Sequence, residues 1–176
     1  YDVAALFKWA RKLQKRYPFP PKTRIKVLDE ILTYADSAVA LSWLTYLLGQ
    51  AKPKELRTLA DKGLRSARVP GIRLRLAQID PTAHRQHLEA LIGDPNLPDL
   101  IRVEACLAIW SVDPRAGEGL TIQLLVHGLS EDALVRALAH IGVHGTRPSM
   151  VFLNTESAHL DPKDVKETLN RIRARR

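Results

Sequence analysis

Six histidines, one cysteine and a crowded set of lysines and arginines are the side chains whose types and spacing could do chemistry in this chain. His140 and His144 stand four apart, and His84 and His87 three apart, so each pair would share a helix face. A zinc site needs three or four ligands, and no third histidine, cysteine or well-spaced carboxylate completes either pair. No Glu follows His140, so the metalloprotease spacing is absent as well. The expectation is no metal and no cofactor. Cys106 lies between Ala105 and Leu107 in an apolar stretch, where a lone cysteine is a small core hydrophobe more often than a nucleophile. As the single cysteine it excludes an internal disulfide, which favours a reducing compartment and a cytoplasmic location.

The cations are the stronger signal. Net charge is +8, unevenly spread: residues 1–88 hold 17 Lys and Arg against 7 Asp and Glu, and residues 89–176 hold 10 against 12. An anionic partner is therefore expected at the first half. Over residues 2–16, Val3, Leu6, Phe7, Ala10 and Leu13 fall on one helical face, with Tyr17 following, and Lys8, Arg11, Lys12, Lys15 and Arg16 fall on the opposite one. A second basic set comprises Lys52, Lys54, Arg57, Lys62, Arg65, Arg68, Arg73 and Arg75. Both sets suit phosphate or carboxylate contacts, and the first also suits an anionic membrane surface. The plainer reading, preferred for both, is the solvated face of an amphipathic helix. Trp9, Tyr17, Trp43 and Tyr46 could stack on bases, but at helical spacing they read first as core.

The elements that position these residues follow a repeat. The triad Ile72, Leu76, Ile79 returns 31 residues later as Val103, Leu107, Trp110, then as Leu134, Leu138, Ile141, and again as Val165, Leu169, Ile172. Each triad has the i, i+4, i+7 spacing of one helix face. Ala77, Ala108 and Ala139 keep the same period, as do Asp99, Ser130 and Asp161, each read as the cap of a helix start. Between these helices, Asp80-Pro81 is expected to open a helix running to about 92, Asp113-Pro114 one running to about 126, and residues 148–155 a shorter one. Before residue 70 the repeat fades, but helices are expected over 2–16, 22–34, 37–48 and 53–66, with Pro18, Pro20 and Pro21 forcing a break after the first. No strand pattern stands out, and no apolar run is long enough to cross a membrane. The chain starts at Tyr1 rather than Met with helical patterning at once, which fits a fragment of a longer chain.

Residues 105–116, ACLAIWSVDPRA, resemble the short bacterial HEAT-like repeat, in which a helix of small and apolar residues is followed by Asp-Pro-Arg-Ala opening the next helix. Residues 134–142, ending ALAHIG, fit the same helix. The resemblance covers about 70–176; it departs where Gly145-Thr146-Arg147 stands in place of Asp-Pro-Arg, and Asp113-Pro114 falls one or two residues late. It implies an all-α, right-handed α-solenoid of helix pairs, about ten or eleven helices in all, with residues 1–69 capping or extending the repeats of 70–176. Solenoids of this kind serve many roles. The function read from them is a non-enzymatic module binding a protein or peptide. The alternative is nucleic-acid backbone binding through Lys8, Arg11, Lys12, Lys15, Arg16, Lys54, Arg57, Arg65, Arg68, Arg73 and Arg75. A third reading rests on HEAT-like DNA glycosylases, whose site pairs a Trp with an Asp; Trp110 and Asp113 are faintly similar.

Overall fold

The computed structural model describes residues 51–175, together with Lys12, Pro20, Thr23, Leu44, Tyr46, Leu47 and Gly49. The helices expected over 2–16, 22–34 and 37–48 therefore lie largely outside the described residues. Among the described residues the protein is all-helical, with eight helices and no strand. The chain divides into two compact units, Tyr1–Ile79 and Asp80–Arg176.

In the first unit, α1 (Pro53–Ser66) packs against α2 (Pro70–Ala77). Pro53 and Pro70 sit at the first helical positions, where no N–H is needed. The carboxylate of Glu55 accepts from the Lys52 N–H at 3.5 Å, closing the entry to α1. Leu59, Ala60 and Leu64 form the buried face of α1, while Ile72, Leu74, Leu76 and Ala77 are buried on α2.

The second unit holds α3 (Arg85–Gly93), α4 (Asp99–Trp110), α5 (Pro114–Val126), α6 (Glu131–His144), α7 (Arg147–Thr155) and α8 (Pro162–Arg173). Consecutive helices pack together over most of the series, α4 packs on α6, α6 on α8, and α5 on α7. Polar links fix their directions. Asp99 at the start of α4 accepts from the Ser130 N–H just before α6 at 2.9 Å. Arg175, past the end of α8, donates to the carbonyls of Val143 and Gly145 at the end of α6. Thus α4, α6 and α8 run parallel. Arg85 and Asp113 join the starts of α3 and α5, and Glu118 of α5 holds the start of α7, so these three run parallel too. The side-chain hydrogen bonds that Arg85, Asp99, Glu104, Glu118, His159 and Arg175 make to distant parts of the second unit span 28 to 34 residues. That range brackets the 31-residue period of the apolar triads.

The central triad members Leu76, Leu107, Leu138 and Leu169 are all buried. Gly117 brings α4 and α5 together: a Cβ there would stand 2.3 Å from the Trp110 Cα. Three expectations about helix starts need correction. Asp80 does not open a continuous helix; its carboxylate accepts from Ala83, residues 81–84 turn, and His84 leaves helical geometry at ψ 21° before α3 begins. Asp99 is the first helical residue after Pro98 rather than a cap, because its carboxylate is drawn to Ser130 and Arg102. Ser130 precedes α6 but its hydroxyl donates to Asp132 instead of accepting from the helix. Asp161 does cap α8, accepting from Lys163, and Asp113 caps α5, accepting from Ala116.

Candidate functional site

Of the first basic stripe, Lys8, Arg11, Lys15 and Arg16 lie outside the described residues; Lys12 is helical and exposed. The second set is better defined. On α1, Lys54, Arg57 and Arg65 are exposed and fall within an arc of about 80°, opposite the buried Leu59 and bordered by the buried Leu64. Asp61 sits inside that arc, so the stripe is not purely cationic. Arg68 is exposed in the connection to α2. Arg73 and Arg75 are two residues apart on α2, about 200° around the helix, so the structure does not place them side by side. Arg75 donates to the Gln78 side chain at 3.3 Å. Of the aromatics considered for base stacking, Tyr46 is half-buried, and Trp9, Tyr17 and Trp43 lie outside the described residues.

The second unit carries a charge pattern that its near-neutral sum conceals. Parallel α4, α6, α8 alternate with parallel α3, α5, α7, so the helix ends collect along two edges. One edge gathers the starts of α3, α5 and α7 and the ends of α4, α6 and α8. It bears Arg85, Arg115, Arg147, Arg171, Arg173 and Arg175, together with Asp80 and Asp113, with Glu89 paired to Arg85, Glu167 paired to Arg171 and Glu118 bonded to the α7 start. The opposite edge bears Asp94, Asp99, Glu131, Asp132, Glu156, Asp161 and Asp164 against Arg102 and Lys163. Arg85 donates to Glu89 at 2.8 Å and to Asp113 at 2.9 Å. The hydrogen bond from Ala116 and the Arg85 guanidinium together hold the Asp113 carboxyl below its ordinary range. Beside this group a groove of about 430 Å³ opens between α3 and α5, with Arg115, Ala116, Gly119, Leu120 and Gln123 along it.

Glu118 answers the departure at Gly145-Thr146-Arg147. The α7 start has no aspartate of its own, and the Glu118 carboxylate, 4% exposed, supplies the missing acceptor. It accepts from the Thr146 N–H at 2.7 Å and hydroxyl at 2.6 Å, and from the Ser149 N–H at 3.2 Å and hydroxyl at 2.5 Å. Burial pushes this carboxyl upward, but the four donors outweigh it and hold it below its ordinary range.

The remaining chemical candidates are structurally committed. Cys106 is buried, and burial pushes its thiol up to about 12, so it stays protonated at neutral pH. Trp110 is 4% exposed, its ring meeting His140 edge-on at 4.8 Å, and the Asp113 carboxylate serves the α5 cap and Arg85. His140 and His144 lie ring to ring at 4.4 Å. Burial, with His144 and Arg136 nearby, lowers the His140 pKa. Among the described residues no three His, Cys, Asp or Glu side chains group to hold a metal ion, and no helix is long and apolar enough to cross a membrane.

Large apolar side chains also reach solvent. Val135 is 60% and Val143 52% exposed, on one line of α6 with Ala139 between them, and Val112, 31 residues before Val143, is exposed at the end of α4. Sequence reasoning missed Arg115, Arg147, Glu118 and Val135. Arg85, Arg115 and Arg147 were findable, because each opens a helix about one period after the last. Comparison with known proteins yields no matching family model, no matching curated sequence and no matching solved structure.

Proposed function

We propose that the chain is a segment of a HEAT-like α-solenoid of ten or eleven helices, and that its function is non-enzymatic: it holds a protein or peptide partner against the surface of its helix rows. The observation that carries this reading is the outward line of α6. A helix flanked by α4 and α8 leaves Val135 and Val143 exposed at i and i+8, with the half-buried Ala139 between them at i+4, the spacing of a contact ridge. The one-period spacing of the long-range hydrogen bonds supports the solenoid. The reading calls for no cofactor, and the lone cysteine goes with a cytoplasmic location. Panning a displayed peptide library against the intact chain tests it. Apolar-rich peptides should be enriched, and Val135→Asp or Val143→Asp should weaken them by about tenfold or more. Binders indifferent to both changes would place the partner elsewhere.

A second reading, contact with a nucleic-acid backbone, is favoured by the arc of Lys54, Arg57 and Arg65 on α1. Such binding would be weakly sequence-selective and fall steeply with salt. Replacing these three by Gln should make the slope of log affinity against log salt shallower by about 2–3 for duplex DNA. No affinity at low salt would remove this reading.

A further inference from the structure

We propose that the arginine-lined edge of the second unit docks an extended acidic peptide, gripped by Arg115 and Arg147 and seated beside the groove between α3 and α5. The inference rests on the reading of the chain as an interaction module and names the chemistry of one partner. It also moves the anion-binding surface away from the first half, where net charge alone would put it.

Arg85, Arg115 and Arg147 occupy the first turns of three parallel helices. The Arg85–Asp113 ion pair and the Glu118 hydrogen bonds to Thr146 and Ser149 set those helices start to start. Arg85 is already committed to Glu89 and Asp113. Arg85 is shared between the two carboxylates, so it offsets part of their charge and leaves Arg115 as the cation facing outward beside them. Arg115 and Arg147 make no side-chain hydrogen bond or ion pair among the described residues, so their guanidinium groups are available for bidentate contact with carboxylates. The helix starts are closed to a ligand, since Asp113 caps α5 and Glu118 caps α7. Recognition therefore falls to the side chains.

Spacing selects the ligand. Packed helices lie about 8–10 Å apart, and a peptide in the extended polyproline II form advances about 3.1 Å per residue and returns to the same face every third residue. Arginines on neighbouring helices are thus matched by carboxylates three residues apart on an extended chain. Next to Arg115 the groove of about 430 Å³ is lined by Ala116, Gly119 and Leu120 on α5, with Arg85 and its partners Glu89 and Asp113 also lining it, and a Cβ added at Gly119 would meet nothing within 4 Å. There is room for an apolar side chain of the ligand between its acids. The opposite edge, lined by carboxylates, repels the same ligand and restricts it to one side of the unit.

The test is fluorescence anisotropy of the intact chain with a labelled synthetic peptide at low salt. The peptide carries glutamate at every third position and leucine between, and its comparators are the same composition with the glutamates clustered, a version with glycine for leucine, and duplex DNA. The spaced peptide should bind best. Arg115→Glu and Arg147→Glu should each weaken it by about tenfold, and the milder Arg115→Gln and Arg147→Gln should act in the same direction with helix content unchanged. Gly119→Leu, which fills the groove, should weaken the leucine peptide and spare the glycine version. No binding at low salt, equal binding of the clustered peptide or of duplex DNA, or indifference to both arginine substitutions would overturn the proposal. Those failures leave the Val135 ridge untouched, and Val135→Asp should not alter this binding; if it did, the edge would be the wrong surface.

Discussion

Glu118 shows how one buried side chain can stand in for a missing local signal. Its carboxylate satisfies donors from two residues at the α7 start, so removing it leaves several of them without an acceptor inside the protein. Glu118→Ala should cost about 2–3 kcal/mol in urea unfolding, and Glu118→Gln less. The native carboxyl is held below its ordinary value of 4.5, so its contribution is present above that pH and is lost as pH falls through the lower native value. The stability gap between wild type and Glu118→Gln should narrow accordingly from about pH 6 to about pH 3. His140 gives a second window. Its native pKa is lowered from 6.5, so below that pH the unfolded chain takes up a proton that the native imidazole resists, and stability falls. His140→Phe should flatten the pH dependence of the urea midpoint between about pH 7.5 and about pH 5.5. The sequence suggested neither role. Glu118 reads as a surface acid until the helix 28 residues later is placed against it, and His140 reads as one of a pair until Trp110 meets its ring.

At the scale of the element, Gly117 and Gly119 separate two meanings of the same residue. Both lie in α5. At Gly117 a methyl group would run into the Trp110 backbone, so Gly117→Ala should drive α4 and α5 apart and cost about 3 kcal/mol or more. Gly119 has open space, so Gly119→Ala should gain about 0.5–1 kcal/mol from helix propensity alone. Thermal or urea unfolding of the two variants, expected to move in opposite directions, checks both. Leu107→Ala and Leu138→Ala should each cost about 2–5 kcal/mol, and Leu169→Ala less, because α8 is packed against α6 with no described helix following it. Helices were the most legible feature of the sequence. The expected 53–66 coincides with α1, and the helix expected from Asp113-Pro114 is α5. Apolar periodicity and proline at a first turn are local, so they survive folding unchanged. Helices do start at Asp99 and after Ser130, but the side-chain caps expected there, and the helix expected from Asp80, are absent, because an oxygen able to cap a helix can equally serve a turn, a neighbouring chain segment or its own neighbour. Which it does depends on what lies one period away.

For the molecule as a whole, charge counted along the chain and charge placed in space differ. The second unit sums to nearly zero, yet most helix-terminal arginines lie toward one edge and most helix-terminal carboxylates toward the other, because parallel helices gather their starts on one side. Composition cannot report this; only the direction of each helix can. The all-helical architecture should appear in circular dichroism as helix content far above the roughly one-third typical of globular proteins. A second consequence concerns mechanical force. Among the described residues of the second unit, the long-range side-chain hydrogen bonds of Arg85, Asp99, Glu118, His159 and Arg175 join segments about one period apart. Ties of this length fasten each helix to the one a period away. Held at Asp80 and drawn from the C-terminus in an optical trap, the unit should peel from α8 inward in steps of a helix pair, each detachment exposing the next, where a sheet with distant strand pairing would resist and then rupture at once.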